Sequence, residues 1–241
     1  MGFVVKVVGC STAWSNRPTS SYCIDNEILV DCGEGTTKYY DLCKVDFLKI
    51  KNIFITHFHS DHYLGLAEYL AHMCFYNKKS KYLTIYGPKG LKRHLNILKS
   101  VSFGEVDAKK INLEDYINIV ELSGEMTFEI GEYIVTTFET SHGNLKNMAY
   151  IFEKGDLFIG FSGDCTYSKK LEEFASKSNI CFLECCDEIT TKFHLGYDKF
   201  LEIKNKYNKN RYLAVHCNDS LYKKPDYDIE FAISSKIYHF N

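Results

Sequence analysis

The chain opens on Phe3-Val4-Val5-Lys6-Val7-Val8, an apolar, β-branched run with no helical period, which predicts a strand over residues 3–8. Two more short strands follow at 21–24 and 27–31, parted by polar and glycine-containing turns. A short helix is predicted over 36–43 and a strand over 52–56. Leu66, Leu70, Met73 and Cys74 then recur at helical spacing, so 63–76 reads as a helix. Beyond a lysine-rich turn come a strand at 82–86 and a helix opened by Pro88 in its first turn, running to about 99. The next stretch is again β-rich, with strands predicted at 117–122, 127–130, 133–139, 148–153 and 157–162. Alternation returns at the end, as helix 169–176, strand 180–184, helix 198–207 and strand 212–216. No Pro/Ser-rich linker divides the chain, and no internal repeat stands out. Two β-rich halves with helices outside them predict an α/β (α+β) fold, a four-layer αββα sandwich in one domain over 1–241.

Composition narrows the classes. Of 241 residues, 45% are hydrophobic and 15% aromatic, too many for a disordered chain, and 15 Gly with three Pro exclude a collagen-like one. The apolar runs are far shorter than a membrane span. The start, Met1-Gly2-Phe3-Val4-Val5-Lys6, reads as a strand and lacks the basic region and cleavage site of a signal peptide. With 29 basic and 31 acidic residues the net charge is −2, so there is no global basic field for a polyanion. The ten cysteines form no C-x-x-C pair, and most fall in apolar strands, which reads as buried, reduced thiols in a cytoplasmic protein. A redox-active vicinal pair at Cys185-Cys186 is the lesser alternative.

Chemistry concentrates in Thr56-His57-Phe58-His59-Ser60-Asp61-His62, directly after the apolar run Ile53-Phe54-Ile55. A strand ending there delivers three imidazoles and a carboxylate into a loop at the sheet edge. Alternation along an extended piece points His57 and His59 the same way, so they can share one metal. Asp61 and His62, past the bend, can face a second. Imidazoles with a carboxylate and no thiolate suit Zn(II), with Mn(II) or Fe(II) as alternatives.

At these residues the chain resembles the metallo-β-lactamase superfamily of binuclear metal hydrolases. Asp31, in Asp31-Cys32-Gly33-Glu34-Gly35-Thr36, matches an early Asp that supports the site structurally in that family. The resemblance implies one metal on His57, His59 and His142, a second on Asp61, His62 and His216, and Asp164 shared between them. The likeness runs from about Val4 to His216. It is closer still to the ribonuclease Z branch, in the stretch from Ile53 to Leu66 and in Leu183-Glu184 followed by His194. In that branch a His at the position of His194 assists phosphodiester chemistry, which implies catalytic roles for His194 and Asp61, with Glu184 orienting the imidazole.

Departures from the branch bear on the substrate. The protruding arm that grips transfer RNA in ribonuclease Z lies between the third-motif His and the bridging Asp. Here Asp164 follows His142 by only 22 residues, filled by two predicted strands. Cys165 replaces the usual Thr, and Cys217-Asn218-Asp219-Ser220 follows His216 where a Ser-Arg-Tyr type of ending is expected. Basic clusters at Lys78-Lys79-Ser80-Lys81, Lys89 with Lys92-Arg93, Lys109-Lys110 and Lys204 to Arg211 are balanced by acids and read as solvated faces. The chain is similar to armless anti-Pycsar enzymes, which implies a binuclear zinc phosphodiesterase acting on small 3′,5′-cyclic nucleotides and degrading a defence signal. The alternatives are a ribonuclease Z-type endonuclease trimming transfer RNA 3′ ends and, more distantly, a lactonase or thioesterase. The resemblance also implies a homodimer, to which the aromatic segment around Met73 to Tyr76 could contribute.

Overall fold

The computed structural model describes residues 2–76, 82–224 and 226–241, so the predicted basic run Lys78-Lys79-Ser80-Lys81 lies outside the described residues. The first half carries β1 (Phe3–Gly9), β2 (Ser21–Ile24), β3 (Ile28–Val30), β4 (Asn52–Phe54), β5 (Leu83–Pro88) and β6 (Ile117–Leu122). The second carries β7 (Thr127–Ile130), β8 (Tyr133–His142), β9 (Leu145–Lys154), β10 (Leu157–Phe161), β11 (Ile180–Glu184), β12 (Arg211–Val215) and finally β13 (Lys236–Phe240). One sheet has the order β13-β1-β2-β3-β4-β5-β6 and the other β12-β11-β10-β9-β8-β7. Pairing is parallel from β3 to β6 and from β10 to β12, and antiparallel elsewhere. Helices α1 (Ser60–Tyr63), α2 (Leu66–Tyr76), α3 (Leu91–Ala108), α4 (Lys169–Lys177) and α5 (Tyr197–Lys206) complete the chain.

Strand alternation sorts the apolar residues into three cores. Val30, Phe54 and Phe182 point between the sheets, where Phe161 and Phe182 stack with ring centroids 4.8 Å apart. Their neighbours Leu29 and Ile53 point outward beneath α2 and α3, where Leu66, Leu70 and Leu95 cover them. Cys181 and Leu183 likewise pack under α4 and α5 against Phe174 and Phe200. Each of these buried phenylalanines contributes about 1.5–3 kcal/mol, and the period of two places them on alternate sides. The layers are therefore helix, sheet, sheet, helix.

Several boundaries differ from expectation. Pro88 ends β5, paired in register with Leu122, rather than opening a helix; Gly90, with φ 101°, turns the chain first and α3 starts at Leu91. The chain stays helical to Ala108 beyond a kink at Gly104 (φ 72°), and these later turns are mostly exposed and carry no apolar stripe to mark them. Residues 36–43 form only a 3₁₀ turn, Thr36–Tyr39, followed by further turns. The strand β13, absent from the pattern reading, pairs with the edge of β1 and buries Tyr238 and Phe240 either side of exposed His239.

Candidate metal centre

Because neighbouring strands run parallel, their carboxyl ends share one edge of each sheet, the usual place for a ligand crevice in such sheets. Asp31 follows β3, His57 lies just past β4, Asp164 follows β10, Glu184 ends β11 and His216 follows β12. His142 ends β8. Asp31 (φ 57°) and His216 (φ 54°) adopt left-handed backbone, at about 1–3 kcal/mol of strain each for a non-glycine residue. The strain is held by backbone hydrogen bonds: Asp31 N–H donates to the Phe54 carbonyl (2.8 Å) and His216 N–H to that of Cys10 (2.7 Å). Gly163, at φ 59°, precedes Asp164; a Cβ there would run into Asn147 Oδ1 and Thr56. Asp61 and His62 stand on the single turn α1 rather than in an open loop. The turn is closed by His62 N–H donating to the His59 carbonyl at 3.0 Å, so both side chains are folded under the rim.

The imidazoles are oriented from behind. His62 Nδ1 donates to Asp31 Oδ2 (2.7 Å), and Asp31 in turn accepts from Thr56 N–H (2.8 Å) and Oγ1 (2.9 Å). His142 Nδ1 donates to the Phe193 carbonyl at 2.7 Å. The opposite nitrogens converge. His57, His59, His142 and Asp164 form one group of donor atoms, and Asp61, His62 and His216 a second, each group within 4.8 Å. Asp164 faces both, with Oδ2 at 3.8 Å from His57 Nε2 and 3.4 Å from His216 Nε2, and Oδ1 at 3.1 Å from His62 Nε2.

His57 Nε2, His62 Nε2 and Asp164 Oδ1 are buried without a hydrogen-bond partner. The last two lie close but misaligned, as donors do when they aim at a common third point rather than at each other. Buried polar atoms left unpaired cost about 1–3 kcal/mol each, so this donor set fits divalent cations.

Electrostatics in the metal-free chain point the same way. Burial, then the neighbouring His62 charge, lowers His57 well below 6.5, leaving it neutral with a free lone pair. Burial lowers His59 as well, on the open rim. For His62 burial opposes the charge, but Asp164 and Asp31 outweigh it and raise its pKa well above 6.5; His216 is raised against burial by Asp164 and Asp61. Burial is likewise overcome at Asp164, held well below its usual range by His216 and His62, and at Asp61, held low by the His216 hydrogen bond.

Beside this centre His194 Nδ1 donates to Glu184 Oε1 at 2.6 Å. Glu184 is fully buried, and its Oε2 accepts from the Cys165 (2.7 Å) and Leu195 (3.1 Å) N–H groups. Burial opposes charge on His194, yet the Glu184 hydrogen bond and the charges of Glu184 and Asp164 raise its pKa above 6.5. The centre opens into a cavity of about 490 Å³ lined by Thr12, Trp14, Asp61, His194, Cys186 and Asn218 among others. Two of these escaped the sequence reading: Thr12 and Trp14 carry no motif and reach the site only through the loop after β1, while Asn218 figured there only as a departure from the ending expected after His216. The vicinal cysteines part company. Cys185 packs in the outer core, while Cys186 faces the cavity; both are free thiols. His94 stacks on Phe58, with ring centroids 3.9 Å apart.

Sheets and site edge together define a metallo-β-lactamase fold. The chain is similar over 99% of both lengths to the metallo-beta-lactamase fold protein YhfI from Bacillus subtilis, with TM-score 0.78 and 18% identity. It is similar to the same extent to human tRNase Z, short form, with TM-score 0.77 and 19% identity. Within that fold, the chain belongs to the family described as Anti-Pycsar protein Apyc1, whose model matches residues 7–238. It is also 38% identical over 143 residues to the ribonuclease Z of Pyrococcus horikoshii, a match that takes in 58% of this chain and 43% of that protein. The chain thus spans less than half the length of that relative. Among the described residues, no helix is long and apolar enough to cross a membrane.

Proposed function

We propose that the protein is a binuclear zinc phosphodiesterase that hydrolyses small 3′,5′-cyclic nucleotides. The observation that carries this reading is the convergence of seven imidazole and carboxylate side chains with the Glu184–His194 pair beside one cavity. His57, His59 and His142 would hold one ion, Asp61, His62 and His216 the other, and Asp164 both, with Asp31 fixing His62 from behind. Two zinc ions held by these residues would supply Lewis-acid charge for phosphoryl oxygens and an attacking water. Asp61, whose Oδ2 accepts from the Ala13 N–H (3.1 Å), would orient or deprotonate that water. His194, kept protonated by Glu184, gives its proton to the departing ester oxygen as the P–O bond breaks. A cyclic diester plus water yields a nucleoside monophosphate, with the proton passed from Asp61 to solvent and from solvent to His194.

Substrate size follows from shape and charge. A cavity of 490 Å³ suits a single nucleotide. The turn from Lys154 to Leu157 between β9 and β10 leaves no arm for gripping transfer RNA. Each basic cluster among the described residues has a member paired with a carboxylate: Lys92 with Glu114 (2.8 Å), Lys110 with Asp107 (2.7 Å), Lys204 with Asp228 (2.6 Å) and Arg211 with Glu230 (2.5 Å). The family's name, Anti-Pycsar protein Apyc1, supports a role in removing a cyclic-nucleotide defence signal. We place the protein in the cytoplasm, as one domain over 1–241. The homodimer reading is supported by exposed Phe75, Val101 and Val106 on α2 and α3, an apolar surface a second copy could cover, whereas Met73 is buried in the core.

Ribonuclease Z activity on transfer RNA 3′ ends is the second reading, favoured by the 38% identity to the archaeal enzyme. Zinc-loaded protein incubated in parallel with 3′,5′-cyclic nucleotides and a 3′-extended transfer RNA separates the two. Conversion of the cyclic nucleotides with the RNA intact is expected. Rapid RNA cleavage with the cyclic nucleotides untouched would transfer the assignment to the second reading, and turnover of lactones or thioesters alone would remove both.

A further inference from the structure

We infer that Trp14 is the platform on which the base of the substrate stacks, a reading that rests on the nucleotide phosphodiesterase assignment above and adds the residue that recognises the base. Trp14 is the sole tryptophan of the chain, and 94% of it is exposed. It nevertheless lines the cavity whose floor holds Asp61, Asp164, His194 and His216. An indole of 150–250 Å² left in water is a face that an aromatic ring can cover, and every base has a π-face to offer.

The surrounding loop backbone is anchored on both sides of Trp14. Ser15 N–H donates to the Thr12 carbonyl at 3.1 Å, which puts Trp14 at the corner of a tight turn. On one side the Ala13 N–H donates to Asp61 Oδ2 at 3.1 Å, tying the turn to the metal-centre carboxylate. On the other, Ser15 Oγ donates to Asp219 Oδ1 (2.9 Å), which also receives Arg17 Nη2 (2.7 Å). The Arg17 guanidinium lies 3.7 Å from the centre of the Tyr222 ring, closing the brace on the segment after His216. The exposed indole therefore projects from a backbone anchored at both ends, and ordering the loop adds little to the cost of binding. With the phosphodiester at the floor and the indole at the mouth, the ribose spans the cavity and the base meets Trp14.

Trp14→Ala and Trp14→Phe test this, together with the fluorescence of Trp14 itself. Because the side chain is exposed, neither substitution removes core packing. For 3′,5′-cyclic nucleotides Trp14→Ala should raise KM by about 5–150-fold, the range alanine substitution gives for one base–aromatic stack. The loss should fall on KM rather than kcat, be recovered in large part by Trp14→Phe, and be absent for an abasic 3′,5′-cyclic ribose phosphate. In the zinc-loaded wild type, a nucleoside 3′,5′-cyclic phosphate should quench the fluorescence saturably, and the abasic compound should not. An unchanged KM in Trp14→Ala with fluorescence indifferent to nucleotide overturns the inference while leaving the phosphodiesterase reading intact. Saturable, base-dependent quenching in a protein that hydrolyses no cyclic nucleotide upholds the stacking platform and overturns the reaction instead.

Discussion

His194 is bound through Nδ1 to Glu184, and 31% of its side chain remains open to the cavity. Its pKa is raised above 6.5, so the imidazolium is present below that raised value and lost as pH rises through it. Turnover that needs its proton should therefore fall on the alkaline side. In Glu184→Gln the raising charge is gone, and the falling limb of kcat against pH should move to lower pH; a limb that stays in place would mean Glu184 only packs. His194→Ala should retain its metal and lose about 10²–10⁴-fold in turnover, the usual contribution of a general acid. Asp164→Ala acts differently, because its carboxylate faces both donor groups. Metal analysis of that variant should show fewer than two ions per chain, and full occupancy would refute the shared position. The residue types at His57, His59, Asp61 and His62 were legible because they crowd into six positions on the chain. Trp14 was not, since a lone tryptophan in a loop carries no spacing signal.

Elements were legible where one face is buried and the other is not. The helix α4 shows both the pattern and its start: Leu171, Phe174 and Ala175 are buried, and Ser168 caps it, accepting from the Leu171 N–H at 3.1 Å. Ser168→Ala should cost about 1 kcal/mol, lowering Tm by about 2–4 °C in a chain of this size without loss of bound metal. A larger fall, or a loss of metal, would show that α4 braces the site rather than merely covering the sheet. Where burial did not alternate, pattern reading failed. The exposed later turns of α3 lack a stripe, and Pro88 suits a strand end as well as a helix start, a choice made by the parallel neighbour at Leu122. The strand β13 did carry the alternation of Tyr238 and Phe240, but its significance depends on β1, at the other end of the chain, offering a free edge.

At the scale of the molecule, the donor set joins the two sheets. His57, His59, Asp61 and His62 come from the chain after β4, in the first sheet, while His142, Asp164 and His216 leave strands of the second. Metal bound there cross-links the halves at their shared edge, so chelation should lower Tm and zinc restore it. With free metal at a thousand times Kd the stabilisation is about 4 kcal/mol, and the Tm should rise with metal concentration. A Tm indifferent to chelator and zinc would argue against a metal bridge. Because carboxylates hold His62 and His216 protonated in the metal-free chain, loading near neutral pH should also release protons measurable in weak buffer.

Apolar alternation and the crowded His/Asp motif by themselves determined the layered fold and the cluster of donor residues at the end of β4, because both are written in residues a few positions apart. Only the tertiary structure decided which nitrogen of each imidazole faces inward, that Glu184 grips His194, and that Trp14 overlooks the cavity. Those relations join strand ends and loops distant in sequence, and they exist only where parallel strands bring their carboxyl ends to one edge.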